Sequence, residues 1–340
     1  MRLTRLIIPG RRRIAALVVA VAAIALIAVG GPAQAKVSGP NGRIVFARDT
    51  PDGQDTNTYT MNPDGSDVQP LFPAFTSGSP HWSPDGTEVA VNSGLGVPCP
   101  PTCTGNTVIV NPDTGGYRVI TPEGFPAISN FCTIWSPDAS RFACEAFNDN
   151  DPSVDGVYTV RSSDGGGLTR ITNGPDVPID YSPDGTQIVF GRAAHPNCTT
   201  RSALYVVNVD GSGLHRITPW GFCDDDGSWS PDGTEIAFEQ GSVQLGNGRF
   251  VHGGSLFVVH PDGTGMRKIP LATDSRTFAG DVSWSPDGSK LAFILIRQVG
   301  PHSFVFGLGT ANADGSDVQQ VTLSPTFDHE TDWGSHPLTH

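Results

Sequence analysis

The 340-residue sequence contains few basic residues, and this excludes the function classes that depend on positive charge. It has 21 Lys and Arg against 34 Asp and Glu, a formal net charge of −13 with His neutral. Five of the 21 are arginines within the first 13 residues, so the rest of the chain carries about −18. Such a surface repels phosphate backbones and anionic lipid headgroups. Nucleic acid and anionic membranes are therefore poor candidates for partners.

Sequence motifs for catalysis and metal binding are also missing. No Cys-x-x-Cys or pair of histidines accompanies the six cysteines, so zinc is not expected, and no Gly-x-Ser-x-Gly elbow is present. His329-Glu330 does not begin a zinc-binding helix motif. An active site would have to be assembled from distant segments, and its candidate bases are His81, His195, His252 and His302. We therefore expect a protein without catalytic activity, with no metal and no cofactor.

One long apolar run is present, and it lies near the N-terminus. Ile14 to Val29 follows the cluster of arginines and precedes Ala33-Gln34-Ala35, a small-residue cleavage site. This order predicts a signal peptide over residues 1–35 and a secreted, periplasmic or cell-envelope protein. A retained membrane anchor is the alternative, because the run is near the lower length limit of a spanning helix. After cleavage we expect no stable membrane span.

Five copies of an aromatic-Ser-Pro-Asp-Gly motif organise the rest of the chain. Pro fixes φ near −65°, Asp tolerates the bridge region and Gly supplies a residue with positive φ, which together predict a hairpin turn. In one copy Ala139 replaces the Gly, so that turn should carry about 1 kcal/mol of strain or adopt another type. The copies are Trp82–Gly86, Trp135–Ala139, Tyr181–Gly185, Trp229–Gly233 and Trp284–Gly288.

A second turn signal lies between these motifs and defines the size of the repeat. It follows a strand pattern, carries an Asp and precedes one more short strand, so each unit holds four strands. The prolines of the first motif recur every 46 to 55 residues, which suits one blade of a β-propeller. The acidic residues of this second turn are Asp64, Asp113, Asp164, Asp210, Asp262 and Asp314.

The two ends of the chain hold complementary halves of one further unit. Gly39 to Phe46 has the pattern of a turn and second strand without the first strand, and Thr331 to Pro337 has the pattern of a repeat start with nothing after it. Pairing of the two would remove free sheet edges and close a ring. We therefore predict an all-β fold over residues 36–340. It is a monomeric six-bladed β-propeller of four-stranded blades, in which the N- and C-terminal strands share one blade.

The repeat resembles the TolB-type propeller repeat, a relative of the WD repeat, over essentially all of residues 36–340. The resemblance rests on Trp229–Gly233 and its four other copies, whose residues serve turns and packing and so specify fold more than activity. It implies an exported envelope protein whose propeller is a docking surface in complexes with other envelope proteins.

The six cysteines predict disulfides, because the chain is expected to be exported. With Ser136 facing Ser140 across a turn, Cys132 should lie directly opposite Cys144 at a Cα separation of about 4.5–5.5 Å, which a disulfide can span. The other expected pairs are Cys99–Cys103, within one small loop, and Cys198–Cys223, in two loops on the same face of a blade.

Two turns resemble the start of a calcium-binding loop. Asn62–Asp67 and Asn312–Asp317 place oxygen-bearing side chains at alternating positions, with Gly at the bend. No glutamate arrives at the twelfth position, and both stretches already have a hairpin role. We therefore expect them to act as turns rather than as calcium sites.

Seven acidic residues near the start of a repeat are the candidate binding residues. Because the innermost strands of a propeller line its axis, these carboxylates are expected to meet at the mouth of a central channel and attract a cation or a basic side chain. Solvated loop ends are the alternative. The acids are Asp180, Asp224, Asp225, Asp226, Asp281, Glu330 and Asp332, and the aromatic residues expected to pack inside the blades are Trp82, Trp135, Tyr181, Trp229, Trp284 and Trp333.

Irregular sequence concentrates on the face opposite the Pro-Asp-Gly turns. Residues 92–105, 193–202 and 240–254 join the second and third strands of their blades, and binding usually resides in such loops. Together with residues 223–227 they are expected to bind a protein or a glycan, and the negative charge favours a basic partner. The predicted function is a non-catalytic scaffold in the cell envelope or outside the cell. The alternative is a propeller hydrolase or lyase acting on an extracellular polymer.

Overall fold

The computed structural model describes most of the chain from Gly39 onwards. The described residues all belong to one compact unit that extends from Pro32 to His340. They are residues 39–53, 55–72, 76–93, 106–125, 129–148, 150–193, 202–220, 224–244, 250–271, 274–301, 303–324 and 326–338. The predicted signal peptide and the cysteines at 99, 103, 198 and 223 lie outside these ranges.

The described residues are almost entirely in β-strands, with one short 3-10 helix at Pro152–Val154. None of the helical structure in these ranges is long and apolar enough to cross a membrane. In chain order the strands are β1 (Ile44–Asp49), β2 (Thr56–Met61), β3 (Gln69–Pro70), β4 (Ser77–Trp82), β5 (Val89–Ser93), β6 (Asn106–Val110), β7 (Tyr117–Ile120), β8 (Ser129–Trp135), β9 (Arg141–Phe147), β10 (Gly156–Arg161), β11 (Thr169–Arg170), β12 (Asp176–Tyr181), β13 (Gln187–Ala193), β14 (Ser202–Asn208), β15 (His215–Arg216), β16 (Asp224–Trp229), β17 (Ile236–Gln244), β18 (Phe250–Val259), β19 (Arg267–Lys268), β20 (Thr277–Trp284), β21 (Lys290–Gly300), β22 (Ser303–Asn312), β23 (Gln319–Gln320) and β24 (Asp328–Trp333).

The strands form antiparallel sheets whose order follows the chain. Within the described ranges four sheets have four strands each, in the orders β24-β1-β2-β3, β4-β5-β6-β7, β8-β9-β10-β11 and β12-β13-β14-β15. The remaining sheet has eight strands, because the β16–β19 group and the β20–β23 group are joined through the single pair Gly254 and Ala279. This succession of small meandering sheets is an all-β propeller, as the repeat predicts.

The core lies between neighbouring sheets, which is why strands in the middle of a sheet are apolar on both faces. Ile44, Val45 and Phe46 of β1 are all fully buried, although successive side chains of a strand point to opposite faces. Each repeat aromatic residue packs beside its own second strand and against the preceding sheet. Trp135, for example, lies in one cluster with Phe142 of its own sheet and Ile109 of the preceding sheet.

The two ends of the chain meet in one sheet. β24 pairs antiparallel with β1, with Ile44 opposite Trp333 and Arg48 opposite Asp328. Beyond the strand, the Gly42 amide donates to the Gly334 carbonyl at 3.0 Å, and the Gly334 amide donates to the Arg43 carbonyl at 3.0 Å. The C-terminal strand therefore covers the edge that β1 would otherwise expose, as the half repeats at the two ends predict.

The segment after β24 continues onto the next sheet. His336 is buried, and its Nδ1 lies 2.9 Å from the carbonyl oxygen of Gly86, in the turn between β4 and β5. Its ring stacks on Trp82 with the ring centroids 5.0 Å apart. The C-terminal segment thus contacts both the sheet that it completes and the sheet beside it.

The Ser-Pro-Asp-Gly segments form the expected tight turns. In Ser83–Gly86 the Gly86 amide donates to the Ser83 carbonyl at 2.8 Å, and the Ser83 hydroxyl donates to the Asp85 carboxylate at 2.7 Å. Burial opposes the charge on Asp85, but hydrogen bonds from Ser83 and Thr87 outweigh it and lower the pKa of that carboxyl. Ala139 keeps the turn conformation with φ of 57°, so this copy adopts the strained alternative of the two that the sequence left open.

One of the three expected loops is shorter than the sequence predicts. Residues 240–254 were expected to be irregular, but β17 continues to Gln244 and β18 begins at Phe250. The ladder is interrupted by a bulge between Gln240 and Ser242 and then resumes with Ser242 opposite His252. A bulge lets the hairpin bend without ending the strand pairing. Gly241 lies at this bulge, and in the sequence a glycine there looks the same as a glycine in a loop. The other two loops, apart from their end residues, fall outside the described residues.

The predicted disulfide between Cys132 and Cys144 is present, and it joins β8 to β9 inside the core. Both residues are fully buried, and their Cα atoms are 4.1 Å apart. Phe131 pairs with Glu145 in the expected register, whereas Ile134 pairs with Ala143, nearer the turn, one residue away from it. The extra residue is accommodated by a bulge at the disulfide, so the two cysteines are adjacent without being a regular cross-strand pair.

Replacing Cys132 and Cys144 together with Ala is expected to lower the free energy of unfolding by about 3 kcal/mol, because the disulfide closes a short loop and so restricts the unfolded chain. Urea denaturation of the oxidised proteins measures the difference. The two cysteines are 12 residues apart in the sequence, and the disulfide of such a short loop stabilises the fold less than one that closes a long loop. A double variant with the midpoint and slope of the parent chain would show that the bond contributes nothing to stability.

Candidate functional site

The first strands of the repeat units surround one axial channel. Its wider part has a volume of about 280 Å³, and its narrower part, towards the Pro-Asp-Gly turns, about 60 Å³. Each of six strands contributes to the wall of the wider part. The contributing residues are Ser79 and His81 from β4, Thr133 and Ile134 from β8, Pro178 and Ile179 from β12, Asp226 and Gly227 from β16, Asp281 and Val282 from β20, and Glu330 and Thr331 from β24.

The wall of this channel is acidic. The wider part is lined by the carboxylates of Asp226, Asp281 and Glu330, together with Glu145 from β9. In the narrower part Asp180 and Asp332 take their place. Among the described residues no Lys or Arg lines either part, and His81 is the single basic side chain there. Several like charges around a narrow space produce a negative potential that attracts cations.

The inner strands carry bulges at one repeat position, three residues before the aromatic residue. There the register of the inner strand with its neighbour shifts, and four residues other than glycine take positive φ: Ser79 at 48°, Asp226 at 35°, Asp281 at 46° and Glu330 at 54°. Backbone strain of this kind costs on the order of 1 kcal/mol or more, and surrounding contacts must hold it in place. All four bulge residues line the wider part of the channel.

A chain of carboxylates holds three of these bulges. The Asp281 amide donates to Glu239 Oε2 at 2.9 Å, and the Glu330 amide donates to Asp281 Oδ2 at 2.8 Å. The Ser79 amide in turn donates to Glu330 Oε2 at 2.6 Å. Each bond runs from the bulge of one unit to a carboxylate of the preceding unit. Charge-assisted bonds of this kind are strong, so the acids fix the strained backbone that shapes the channel.

A second layer of carboxylates links units nearer the turns. The Trp229 amide donates to Asp180 Oδ2 at 2.9 Å, and the Trp82 amide donates to Asp332 Oδ2, also at 2.9 Å. Asp332 Oδ1 additionally accepts from the Ser283 hydroxyl at 3.1 Å. Four of the acids that the sequence singles out for binding therefore also join neighbouring units, and a substitution in one of these four changes shape as well as charge. The four are Asp180, Asp281, Glu330 and Asp332.

The structure brings five of the seven predicted acids into one channel. Asp180, Asp226, Asp281, Glu330 and Asp332 all line it. The backbone of Asp224 and Asp225 lies in β16, but their side chains are outside the described part of the structure. Their ligand role stays a prediction.

Sequence reasoning missed three contributors to the channel. The Ser79 amide donates to the Glu330 carboxylate, Glu145 lines the cavity from a second strand, and the Glu239 carboxylate accepts the first bond of the carboxylate chain. Ser79 could have been found from the sequence, because it lies three residues before its aromatic residue. Asp226, Asp281 and Glu330 occupy the same position in their repeats. The two glutamates lie on second strands, where nothing local distinguishes them from ordinary strand residues.

The described residues hold no recognisable metal-binding group. Across the described ranges, no group of three or more His, Cys, Asp and Glu could hold a metal ion. Of the four candidate histidines, His81 faces the channel, and its Nδ1 lies 3.2 Å from the Ser79 carbonyl. The side chains of the other three, at positions 195, 252 and 302, fall outside the described part.

The stretches that resemble calcium loops use their oxygens locally. Asp64 accepts hydrogen bonds from the hydroxyl and the amide of Ser66, at 2.6 and 2.9 Å, and these bonds lower the pKa of its carboxyl. Asp314 has the same relation to Ser316, which lowers the pKa of Asp314 in the same way. Asp67 pairs with the buried guanidinium of Arg43 at 2.6 Å. The bonds of Asp64 and Asp314 are those of hairpin turns, whereas Asp67 binds a residue outside its own turn.

The repeat aromatic residues are buried between the sheets. Burial also raises the pKa of the Tyr181 hydroxyl, because the phenolate would lose its hydration. The exposed fractions are 5% for Trp82, 6% for Trp135, 2% for Tyr181, 3% for Trp229, 4% for Trp284 and 1% for Trp333.

Comparison with known sequences identifies two informative relatives, although no protein-family model matches the chain. An uncharacterized protein of Agrobacterium fabrum is 28% identical over an alignment of 260 residues, and the match covers 64% of this chain and 83% of that protein. A protein described as a TolB homolog, from Chlorobium luteolum, is 30% identical over 152 residues, or 43% of this chain. The matched part is only 30% of that homolog's length.

Solved structures share the fold. TolB from Acinetobacter baumannii superposes with a TM-score of 0.60 at 19% identity, over 86% of this chain and 66% of that one. A putative TolB from Agrobacterium tumefaciens gives 0.59 at 18% identity, over 85% and 91%. An oligogalacturonate lyase from Vibrio parahaemolyticus gives 0.50 at 15% identity, over 82% and 78%. At these identities the likeness shows the fold alone. The sequence match to the Chlorobium protein and the repeat itself agree with this likeness, so the chain resembles the TolB-type β-propellers in fold and in repeat sequence.

Proposed function

We propose that this protein is an exported, non-catalytic scaffold of the cell envelope that binds a partner bearing basic side chains at its axial channel. The acidic wall of the channel is the observation that supports the proposal. Carboxylates from three inner strands and from β9 face the wider part, and no Lys or Arg among the described residues offsets them there. A Lys or Arg side chain from a protein partner is the chemistry that complements this wall.

The proposed scaffold is a monomeric ring of six blades. The eight-stranded sheet is counted as two blades, since its halves share a single residue pair, Gly254 and Ala279. Each of six inner strands also contributes residues to the wall of the wider channel. A structure determined by crystallography would test the count, and five or seven blades would reject it.

The size of the channel favours a side chain over a folded element. A volume of about 280 Å³ is near the lower end of ordinary ligand pockets, about 300–1,000 Å³. A partner would therefore place one or two long side chains in the channel and make its other contacts on the surrounding face. A glycan is the alternative partner. Its hydroxyl groups could donate hydrogen bonds to the carboxylates that line the channel.

Weakened binding of a basic peptide is the expected result of removing charge from the wall. We propose the double variant Asp226→Asn with Glu145→Gln, because both residues line the wider part and the amide side chains keep the size of the carboxylates that they replace. A lysine-rich decapeptide should bind the parent chain in a salt-sensitive manner, and the variant about tenfold more weakly at low salt. Isothermal titration calorimetry at two salt concentrations measures both effects.

A matched control separates the channel from general negative charge. Asp64→Asn with Asp210→Asn removes the same charge from two hairpin turns that do not line the channel. This control should bind the decapeptide as the parent does. Equal weakening in both double variants would contradict a channel site. Turnover of an oligogalacturonate or another extracellular polymer, abolished by His81→Asn, would instead favour the lyase or hydrolase alternative.

A further inference from the structure

The seam between β24 and β1 contains one histidine held between two carboxylates. His329 Nε2 lies 3.2 Å from Asp49 Oδ1 on β1, and its Nδ1 lies 3.6 Å from Glu330 Oε2 on β24. The ring is largely buried and stacks on Phe327, with the ring centroids 5.1 Å apart. Both ring nitrogens therefore face acidic oxygens, one on each side of the seam.

The protonated ring suits this arrangement best. A neutral imidazole has one N–H donor, so with Nε2 donating to Asp49 its Nδ1 would turn a lone pair towards the Glu330 carboxylate. The imidazolium donates from Nε2 to Asp49, and its charge attracts the Glu330 carboxylate, which lies 3.6 Å from Nδ1. The Asp49 oxygen is fixed in place by the Thr56 hydroxyl, which donates to it at 3.1 Å. The bond from His329 to Asp49 crosses from β24 to β1, the pair of strands that closes the ring.

We propose that His329 makes the closure of the propeller sensitive to pH: the charged ring tightens the seam in acid, and the seam loosens when the ring loses its proton. The neighbouring ion pair between β1 and β24 does not depend on pH in this way. Asp328, fully buried, pairs with the guanidinium of Arg48 at 2.6 Å, and Arg stays charged throughout the physiological range. The charge of His329 thus changes with pH, whereas the neighbouring pair of Arg48 and Asp328 keeps its charges.

The direction of the effect follows from the shift in the pKa of His329. Burial works against the charged ring, but the hydrogen bond with Asp49 and the charges of Glu330, Asp49 and Asp328 outweigh it, and the pKa lies above the usual value of 6.5. A group with a raised folded-state pKa adds stability that is complete below its unfolded-state value. That stability is lost as the pH rises through the folded-state pKa, so the window lies above about pH 6.5.

The other charged groups near the seam do not reverse this sign. The Asp281 carboxylate of β20 is engaged by the Glu330 amide, and the imidazole of His81 on β4 faces the Ser79 carbonyl. β22 has no ionisable side chain. The remaining ionisable groups of strands packed on β24 are Lys290 and Arg297 at the two ends of β21, of which Arg297 lies 3.7 Å from Asp274.

A pH series of thermal unfolding tests the proposal. We compare the purified parent chain with His329→Gln and with the control His260→Gln, which changes an exposed histidine in a hairpin turn. At about pH 5.5 the parent and the control should melt about 2–4 °C above His329→Gln, and the gap should close by about pH 9. Amide hydrogen exchange, corrected for the intrinsic rate, should show the loss of protection first in β1 and β24.

Two further measurements test the proposal independently of thermal unfolding of His329→Gln. The ring ¹⁵N shifts of His329 in the parent should show that the ring loses its second proton only above about pH 6.5. If His329→Gln does not fold, Asp49→Asn, which can keep the bond from Thr56, should flatten the pH dependence. A gap between parent and His329→Gln that is independent of pH, or a ring that is neutral at about pH 6, would overturn the proposal.

Discussion

Deletion of residues 329–340 is expected to unfold the whole propeller, with a loss of more than about 5 kcal/mol, a large part of the stability of a typical domain. The deletion removes most of β24, exposes the backbone edge of β1 and empties the space that Trp333 fills. It also removes His336 from the neighbouring sheet. Circular dichroism melting should show a transition that is lowered by more than about 10 °C or is no longer cooperative.

A shorter deletion provides the control for this experiment. Removal of residues 337–340 leaves Trp333 and His336 in place, together with the bonds between Gly42, Arg43 and Gly334. That chain should melt close to the parent. If the longer deletion also melts like the parent, closure by the C-terminal strand does not stabilise the ring, and the propeller is held by its other interfaces.

The architecture could be predicted because its signals are local and repeated. Ser83–Gly86 and its copies specify a turn through Pro φ, the Asp hydrogen bonds and a residue with positive φ, and these properties act within five residues. The half repeats at the two ends carry the same signals, so the pairing of β24 with β1 follows from the same pattern. The Cys132–Cys144 pair follows from counting outwards from one such turn, which fixes proximity but not the bulge.

The channel could be predicted only in part, because its geometry depends on neighbouring units. The acids before the aromatic residues do line the axis, but their bonds to the amides of the next unit have no signal in the sequence. Ser79 and Glu330 take positive φ because the strand must pair with its neighbour and also make these bonds. Ser and Glu disfavour positive φ, so the local sequence does not predict this conformation. The partners of His329 were unpredictable for the same reason, since Asp49 is 280 residues away.

Replacing Trp333 with Ala is expected to lower the free energy of unfolding by about 3–5 kcal/mol, the usual cost of emptying a buried aromatic site. Trp333 is 1% exposed and packs in one cluster with Ile44, Phe46 and Ile294, so the cavity would open at the seam itself. Urea denaturation measures the loss. Trp220→Ala is the control, because Trp220 is 38% exposed and lies outside the repeat motif, and it should cost less than about 1 kcal/mol.

A pair of Trp→Phe variants separates the hydrogen bond of Trp333 from its packing. The indole Nε1 of Trp333 donates to the Gly42 carbonyl at 2.9 Å in a buried setting, whereas Trp82 Nε1 is buried without a hydrogen-bond partner among the described residues. Both Phe variants lose similar apolar area, but only Trp333→Phe leaves a carbonyl that had a bond. Trp333→Phe should therefore cost about 1–3 kcal/mol more than Trp82→Phe, the penalty of an unsatisfied buried acceptor. Equal losses would mean that water or a shifted backbone satisfies Gly42, and that the seam is held at this point by packing alone.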